Sequence, residues 1–283
     1  MVTPALESST RDRAALLLNH HLGEVRARCD RLLCGLLGFE WVIGILLALW
    51  RSPRTWEGSA SRIHPHVWAA IFLGGGIVIG PVVMALLRPA RVLTRHTVAV
   101  AQMMMSGLLI HLGDGQIEMH FQIFGALAFL AFYRDWRVLV TASVVTAADH
   151  LLRGIFMPES VYGLAYASLW LTAEHAAFVI FEDIFLIGSC VQGVRELRRI
   201  AENRALLEQA YHDVEKKVDE RTAELKNTQQ ELMKAARMAG KAEIATSVLH
   251  NVGNVLNSVN ISASIVSDKL RQSEVPALGQ VSA

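Results

Sequence analysis

The sequence is short of charge and has no excess of either sign. Only 19% of its 283 residues are Asp, Glu, Lys or Arg, and 27 basic residues balance 26 acidic ones to a net charge of +1. A soluble domain carries about a quarter charged residues, so this balance points toward a bilayer. The lack of any long basic block argues against nucleic acid as a partner. Cysteine is also scarce. Cys29, Cys34 and Cys190 have no zinc-ligand spacing and make no disulfide framework. Cys34 and Cys190 stand in apolar runs, where a thiol is mostly a small buried hydrophobe. The first thirty residues lack the apolar core and cleavage site of a signal peptide. They read instead as a cytoplasmic amphipathic helix over 1–31, capped near Ser9 or Thr10.

Apolar residues are what the chain has in abundance, at 52% with a mean hydropathy of +0.34. Nearly all of the excess lies between Leu32 and Val194. Six stretches there approach the roughly 20 helical residues that cross a bilayer, over 32–50, 67–87, 97–113, 116–133, 138–157 and 166–192. Only Gly113–Asp114–Gly115–Gln116 separates the third from the fourth, which predicts a tight antiparallel hairpin. Arginines near the span ends set the orientation. With the N-terminus inside, the cytoplasm receives Arg26, Arg28, Arg31, Arg88, Arg91, Arg95, Arg134, Arg137, Arg195, Arg198 and Arg199. The outer loops receive Arg51, Arg54, Arg62 and Arg153. The expectation is a multi-pass protein of a cytoplasmic membrane, with residues 32–193 as a six-span domain and both termini inside.

Ionisable residues inside such spans are costly, at least about 2.5–3.5 kcal/mol each near the bilayer centre, so each needs a reason. On helices rising 1.5 Å per residue, His111, His120, His150 and His175 fall at a similar level in the outer half of the bilayer. Acids accompany them at Asp114, Glu118, Asp149 and Glu174; Glu40, Glu182 and Asp183 are also in apolar runs. Imidazoles on facing helices suit a transition metal such as iron or copper, as a single or a carboxylate-bridged dinuclear centre, or a haem b. The candidate metal set is His111, Glu118, His120, His150, Glu174 and His175, with His120, His150 and His175 as the cofactor-binding core. Glu118 joins His120 only if the turn at Gly115 distorts the helix start. The same residues also fit interhelical hydrogen bonding or the lining of a pocket for a hydrophobic signal such as an autoinducer. A membrane-bound metal or haem redox protein is a third reading.

The run of His111, Ile117–Glu118–Met119–His120–Phe121, Tyr133–Arg134–Asp135–Trp136–Arg137 and Asp149–His150–Leu151–Leu152 resembles a His-rich multi-span sensing module of bacterial chemoreceptors, diguanylate cyclases and sensor kinases. Where that module often has histidine, this chain has Gln122 and Asp149. The resemblance implies a sensor in a bacterial inner membrane.

From Leu197 onward, seam residues recur three and four apart through Ile200, Arg204, Leu207, Tyr211, Val214, Val218, Arg221, Leu225, Thr228, Leu232, Ala235 and Ala239. No glycine or proline interrupts 194–239. That pattern predicts a parallel dimeric coiled coil, and so a homodimer, with 194–242 as a signalling linker. Val218 to Leu225 resembles the linker that precedes histidine-kinase dimerisation domains. Glu243 to Val259, with His250–Asn251–Val252–Gly253–Asn254, resembles the phosphoacceptor helix of two-component sensor histidine kinases of the His-Asn-x-Gly-Asn subgroup. The resemblance makes His250 the phosphoacceptor, Asn251 its neighbour in place of the commoner acid, and Asn254 a residue placed for phosphatase action. It also implies a response regulator as partner. Ile244, Val248, Val252, Val255 and Val259 share one helical stripe. Residues 243–272 then form the first helix of a dimerisation domain and 273–283 a tail. Gly74–Gly75–Gly76 lies inside a span and is no phosphate loop, so ATP is expected only in a full-length kinase. The fold class expected is all-α: an integral membrane six-helix bundle, a long parallel coiled coil, and a phosphoacceptor helix.

Overall fold

The computed structural model describes residues 8–272, of which 89% are helical. Among the described residues, eight α-helices appear in chain order: α1 Ser8–Arg51, α2 Pro65–Trp68, α3 Gly74–Leu87, α4 Val92–Leu112, α5 Ile117–Leu130, α6 Trp136–Phe156, α7 Pro158–Tyr162 and α8 Leu169–Gln272. A π-turn, Ala69–Leu73, joins α2 to α3, and a single 3-10 turn, Ala131–Tyr133, follows α5. The chain divides into two compact units between Gln209 and Ala210.

Among the described residues, four helical stretches are long and apolar enough to cross a membrane: α1, Pro65–Leu87, α6 and α8. The other two expected spans are different in kind. Helix α4 is 21 residues long but carries Arg95, His96, Gln102 and Ser106, and it is enclosed by α1, α3, α5 and α6. Helix α5 has 14 residues, about 21 Å at 1.5 Å per residue, against a hydrocarbon core of about 30 Å. The expected limits also shift. No break separates 1–31 from the first span, because α1 runs through both. Ser9 and Thr10 lie inside α1, and the Thr10 hydroxyl bonds Gln209 rather than capping the helix. Residues 1–7 and the tail 273–283 lie outside the described residues.

Side-chain shape explains how the second span is accommodated. A π-turn leaves backbone carbonyls without their usual i+4 donors, and the Trp41 indole N–H donates to the Ala70 and Ile71 oxygens at 3.0 and 3.3 Å. Gly74 and Gly75 give that indole its seat, since a Cβ on Gly74 would stand 2.7 Å from Trp41 Cδ1. Two apolar clusters make the core, one around Leu33, Met103, Leu127, Tyr133 and Leu139, the other around Leu37, Val78, Met105 and Leu109.

The segment between α1 and α2 departs from the all-α expectation. Strands β1 Arg54–Glu57 and β2 Ala60–Ile63 pair antiparallel, with Arg54 opposite Ile63. Gly58 at φ +64° takes the first central position of a two-residue turn, as the II′ class requires.

At one end of the first unit, polar groups fasten the helices together. Asp30, fully buried, accepts from the Tyr133 hydroxyl at 2.7 Å and from the Ala90 backbone N–H at 2.6 Å. Arg95 donates to the Ala90 carbonyl at 2.9 Å and pairs with Asp135 at 2.8 Å. Between them and the far end, Gln102 and Gln122 both donate to the buried Glu40 carboxylate. At that far end the predicted tight turn is present. Asp114 and Gly115 both take positive φ, and a Cβ on Gly115 would stand 2.3 Å from the Gly163 nitrogen. The α4–α5 turn is thus interlocked with the end of α7.

Helix α8 carries the sixth expected span, the linker and the phosphoacceptor stretch without interruption at 193/194 or 242/243. The division instead falls at 209/210, because the start of α1 packs on α8 there. Ala201 and Ala205 are buried, and Arg13 Nε donates to Glu208 Oε2 at 2.8 Å. That guanidinium, by hydrogen bond and charge, holds the Glu208 carboxyl below its ordinary range. In the second unit the apolar residues at seam spacing, among them Val214, Val218, Leu225 and Leu232, are exposed, as are Ile244, Val248, Val252, Val255 and Val259.

Candidate functional site: a histidine cluster in the helical unit

Three of the singled-out histidines meet. His120 stands in the first turn of α5, His150 late in α6 and His175 early in α8. Their ring centroids are 5.1 Å (His120–His175), 5.4 Å (His120–His150) and 5.9 Å (His150–His175) apart. His120 and His150 are each only 4% exposed.

The three rings are held in the same way. Each Nδ1 faces the backbone carbonyl four residues back: Gln116 at 3.1 Å, Thr146 at 3.1 Å and Leu171 at 2.8 Å. A carbonyl oxygen can only accept, so each Nδ1 carries a proton. A neutral ring then presents its lone pair at Nε2. His120 Nε2 is buried and finds no hydrogen-bond partner among the described residues. The Tyr162 ring closes one side, 5.3 Å from His175, with its hydroxyl fixed by Thr172 Oγ1 at 2.7 Å. From the cluster a cavity of about 810 Å³ opens between α5, α6 and α8, lined mainly by apolar side chains such as Phe121, Phe124, Leu151 and Phe178.

The acids do not join this group as expected. Asp149 binds Arg153, with Arg153 Nε 2.8 Å from Oδ1, and approaches His150 Nδ1 at 3.4 Å. Glu118 is exposed on α5, pointing away from His120 as a regular helix dictates for residues two apart. Glu174 is exposed at the cavity and accepts from the Trp170 indole at 2.6 Å. Asp183 accepts from Ser143, and Glu182 keeps one buried oxygen without a partner among the described residues. Among the described residues, no group of three or more His, Cys, Asp and Glu side chains already stands in a metal-holding arrangement.

His111 belongs to a different cluster. Its ring lies 4.7 Å from that of His66, which lies 4.3 Å from that of His64. Sequence reasoning missed His64 and His66. The signal was there in His64–Pro65–His66, two imidazoles flanking a proline at the start of an apolar helix. In the second unit, His250, Asn251 and Asn254 are exposed on α8, and the Asn254 carbonyl accepts from Ser258 Oγ at 2.9 Å.

No protein-family model, no curated protein and no solved structure matches this chain.

Proposed function

We propose that the chain is the sensing and phosphoacceptor part of a membrane histidine kinase, and that its signal is a transition-metal ion such as iron or copper taken up by His120, His150 and His175. The observation that carries the reading is the shared anchoring: three Nδ1 atoms face carbonyls of their own helices, which assigns the protons there and leaves Nε2 of three neighbouring rings for a ligand. Backbone carbonyls fix metal-binding histidines in this manner. The spacing agrees. An ion roughly 2.0–2.1 Å from each nitrogen puts tetrahedrally arranged ring centres roughly 5.2 Å apart, against 5.1 to 5.9 Å here. Coordination asks the rings to turn about their side-chain torsions. Rings this close to one another leave little room for a haem plane and favour a single ion.

In this reading α4 and α5 complete a six-helix bundle in a bacterial inner membrane, with the histidine cluster toward the outer face and both termini in the cytoplasm. The element free to respond is α8. Few of its residues in the helical unit are buried, Val179, Asp183 and Cys190 among them, and His175 is its one ligand. An ion that draws His175 toward His120 and His150 favours one packing of α8 over another, which is all that a population shift requires. The exposed seam residues of α8 pair with a second copy in a parallel coiled coil. His250 then takes a phosphoryl group from ATP held by a kinase catalytic domain, and a response regulator receives it. An imidazole nitrogen attacks the γ-phosphorus and ADP leaves with the β–γ oxygen.

The test is phosphotransfer from a catalytic domain supplied in trans to the purified chain, with and without added metal. Labelling at His250 that changes with metal in the wild type, and is metal-blind in His175→Ala, is the expected result. Metal-blind labelling of the wild type overturns it, and labelling that survives His250→Gln removes the phosphoacceptor. One observation favours a second reading. The apolar cavity of about 810 Å³ suits a hydrophobic signal with a polar head at the histidines, and metal-free protein that responds to lipid extract would select it.

A further inference from the structure

We infer that His66 and His111, with Asp114, form a second, separate site for a divalent first-row metal ion. The inference does not rest on the His120 cluster. The His66 and His111 rings stand 4.7 Å apart, and both line a cavity of about 650 Å³ with Asp114, Glu159 and Ser160. His66 Nδ1 is buried and has no hydrogen-bond partner among the described residues, which is costly for a polar atom unless a ligand takes it.

The neighbours define which nitrogens are free. Ser160 Oγ accepts from Arg153 Nη1 at 3.0 Å and lies 2.8 Å from His111 Nδ1. In the tautomer with the proton on Nδ1, Ser160 Oγ accepts it and His111 presents Nε2 to a ligand. His64 has the opposite arrangement. Its Nδ1 accepts the His66 backbone N–H at 3.0 Å, so its proton sits on Nε2, and it positions the His66 ring without being a ligand. Asp114 is held at the cavity by Arg51 at 3.1 Å and turns from that pair to join the ion. Two imidazoles and one carboxylate are a donor set for divalent iron, zinc or manganese, with positions left open.

A polar chain runs from this site to the first one. His111 meets Ser160, Ser160 meets Arg153, Arg153 is paired with Asp149, and Asp149 lies 3.4 Å from His150 Nδ1. The two sites therefore share a hydrogen-bonded wall while using different nitrogens.

The experiment counts Co²⁺ bound by the purified, metal-stripped full chain. Because the His66 side chain makes no hydrogen bond among the described residues that its loss would break, His66→Ala is the primary variant. The wild type is expected to hold two Co²⁺ per chain and His66→Ala one, with His120→Ala also falling to one and the double variant to none. Ser160→Ala keeps the imidazole but frees it, and lowers Co²⁺ affinity at this site by about 10- to 100-fold. Full Co²⁺ content in His66→Ala overturns the inference. One Co²⁺ in the wild type, lost in His120→Ala alone, overturns it and leaves the first site standing. One Co²⁺ lost in His66→Ala alone supports it and sinks the first site. No bound Co²⁺ overturns both.

Discussion

The same helical unit treats its polar groups in two ways. Around Asp30, both carboxylate oxygens have a protein donor, and Arg95 reaches both a carbonyl and a carboxylate. Around His120, one nitrogen of each ring is tied to a backbone carbonyl, and the buried His120 Nε2 has no hydrogen-bond partner among the described residues. Both arrangements bury polar atoms that would prefer water. The first offsets that cost at both Asp30 oxygens, with Arg95 Nε left buried without a partner among the described residues, and fastens α1, the α3–α4 loop and the 3-10 turn after α5 to one another. The second offsets only half of it, and the remainder is recovered when something with empty orbitals or donors arrives. Stability should therefore depend on the Asp30 end at all times and on the histidine end only when it is loaded.

The largest effect should come from Asp30→Ala. It orphans the Tyr133 hydroxyl and the Ala90 N–H, at about 1–3 kcal/mol for each buried group. Thermal unfolding of metal-free protein should show a large loss for this variant and little change for His175→Ala. Equal losses would erase the contrast between fastening and reception. Next is Gly115→Ala, which places a Cβ against the Gly163 nitrogen in a backbone region that costs an L-residue of order 1–3 kcal/mol. Proteolysis at the α4–α5 turn should become faster. Unchanged cleavage would mean that the turn does not hold α7 and the wall beneath the two histidine clusters. A third, intermediate effect is the stabilisation by metal itself. At a hundredfold excess over its Kd, one ion adds about 2.7 kcal/mol to the wild type, and His175→Ala should lose that increment while keeping its metal-free melting temperature.

The smallest effect concerns the contact of α1 with α8. Glu208 has its carboxyl depressed by Arg13, so the pair stabilises above the ordinary carboxylate range of about 4.3 and releases as pH falls through the lower folded value. Hydrogen exchange at the start of α1 should rise below about pH 4 in the wild type. In Arg13→Ala it should already be raised at neutral pH; a wild type indifferent to acid would detach this contact from the account.

Much of this architecture was legible in the residues. Depth along the helices pointed to His111, His120, His150 and His175 together; the last three meet, while His111 packs against His66 instead. Gly113 to Gln116 gave the tight turn for the same local reason. Other features depend on distances the chain does not encode locally. His66 reaches His111 only after a strand pair and a helix start have been placed, so nothing near His111 marks the partner. Glu118 could join His120 only through a distorted helix start, and α5 is helical from Ile117, which turns Glu118 outward. Helix α4 resembled a lipid-facing span by length, while its Arg95, Gln102 and Ser106 belong to a helix wrapped by four others. The limit of the first unit moved to Gln209 because Thr10 and Arg13 bind α8 beyond the apolar run.

The most direct test of the central claim is X-ray absorption spectroscopy of the chain loaded with one equivalent of Cu²⁺ or Fe²⁺. The account predicts a shell of three imidazole nitrogens about 2.0–2.1 Å from the ion, reduced by one in each of His120→Ala, His150→Ala and His175→Ala. A shell of oxygen donors, or a spectrum that none of the three substitutions alters, would contradict it.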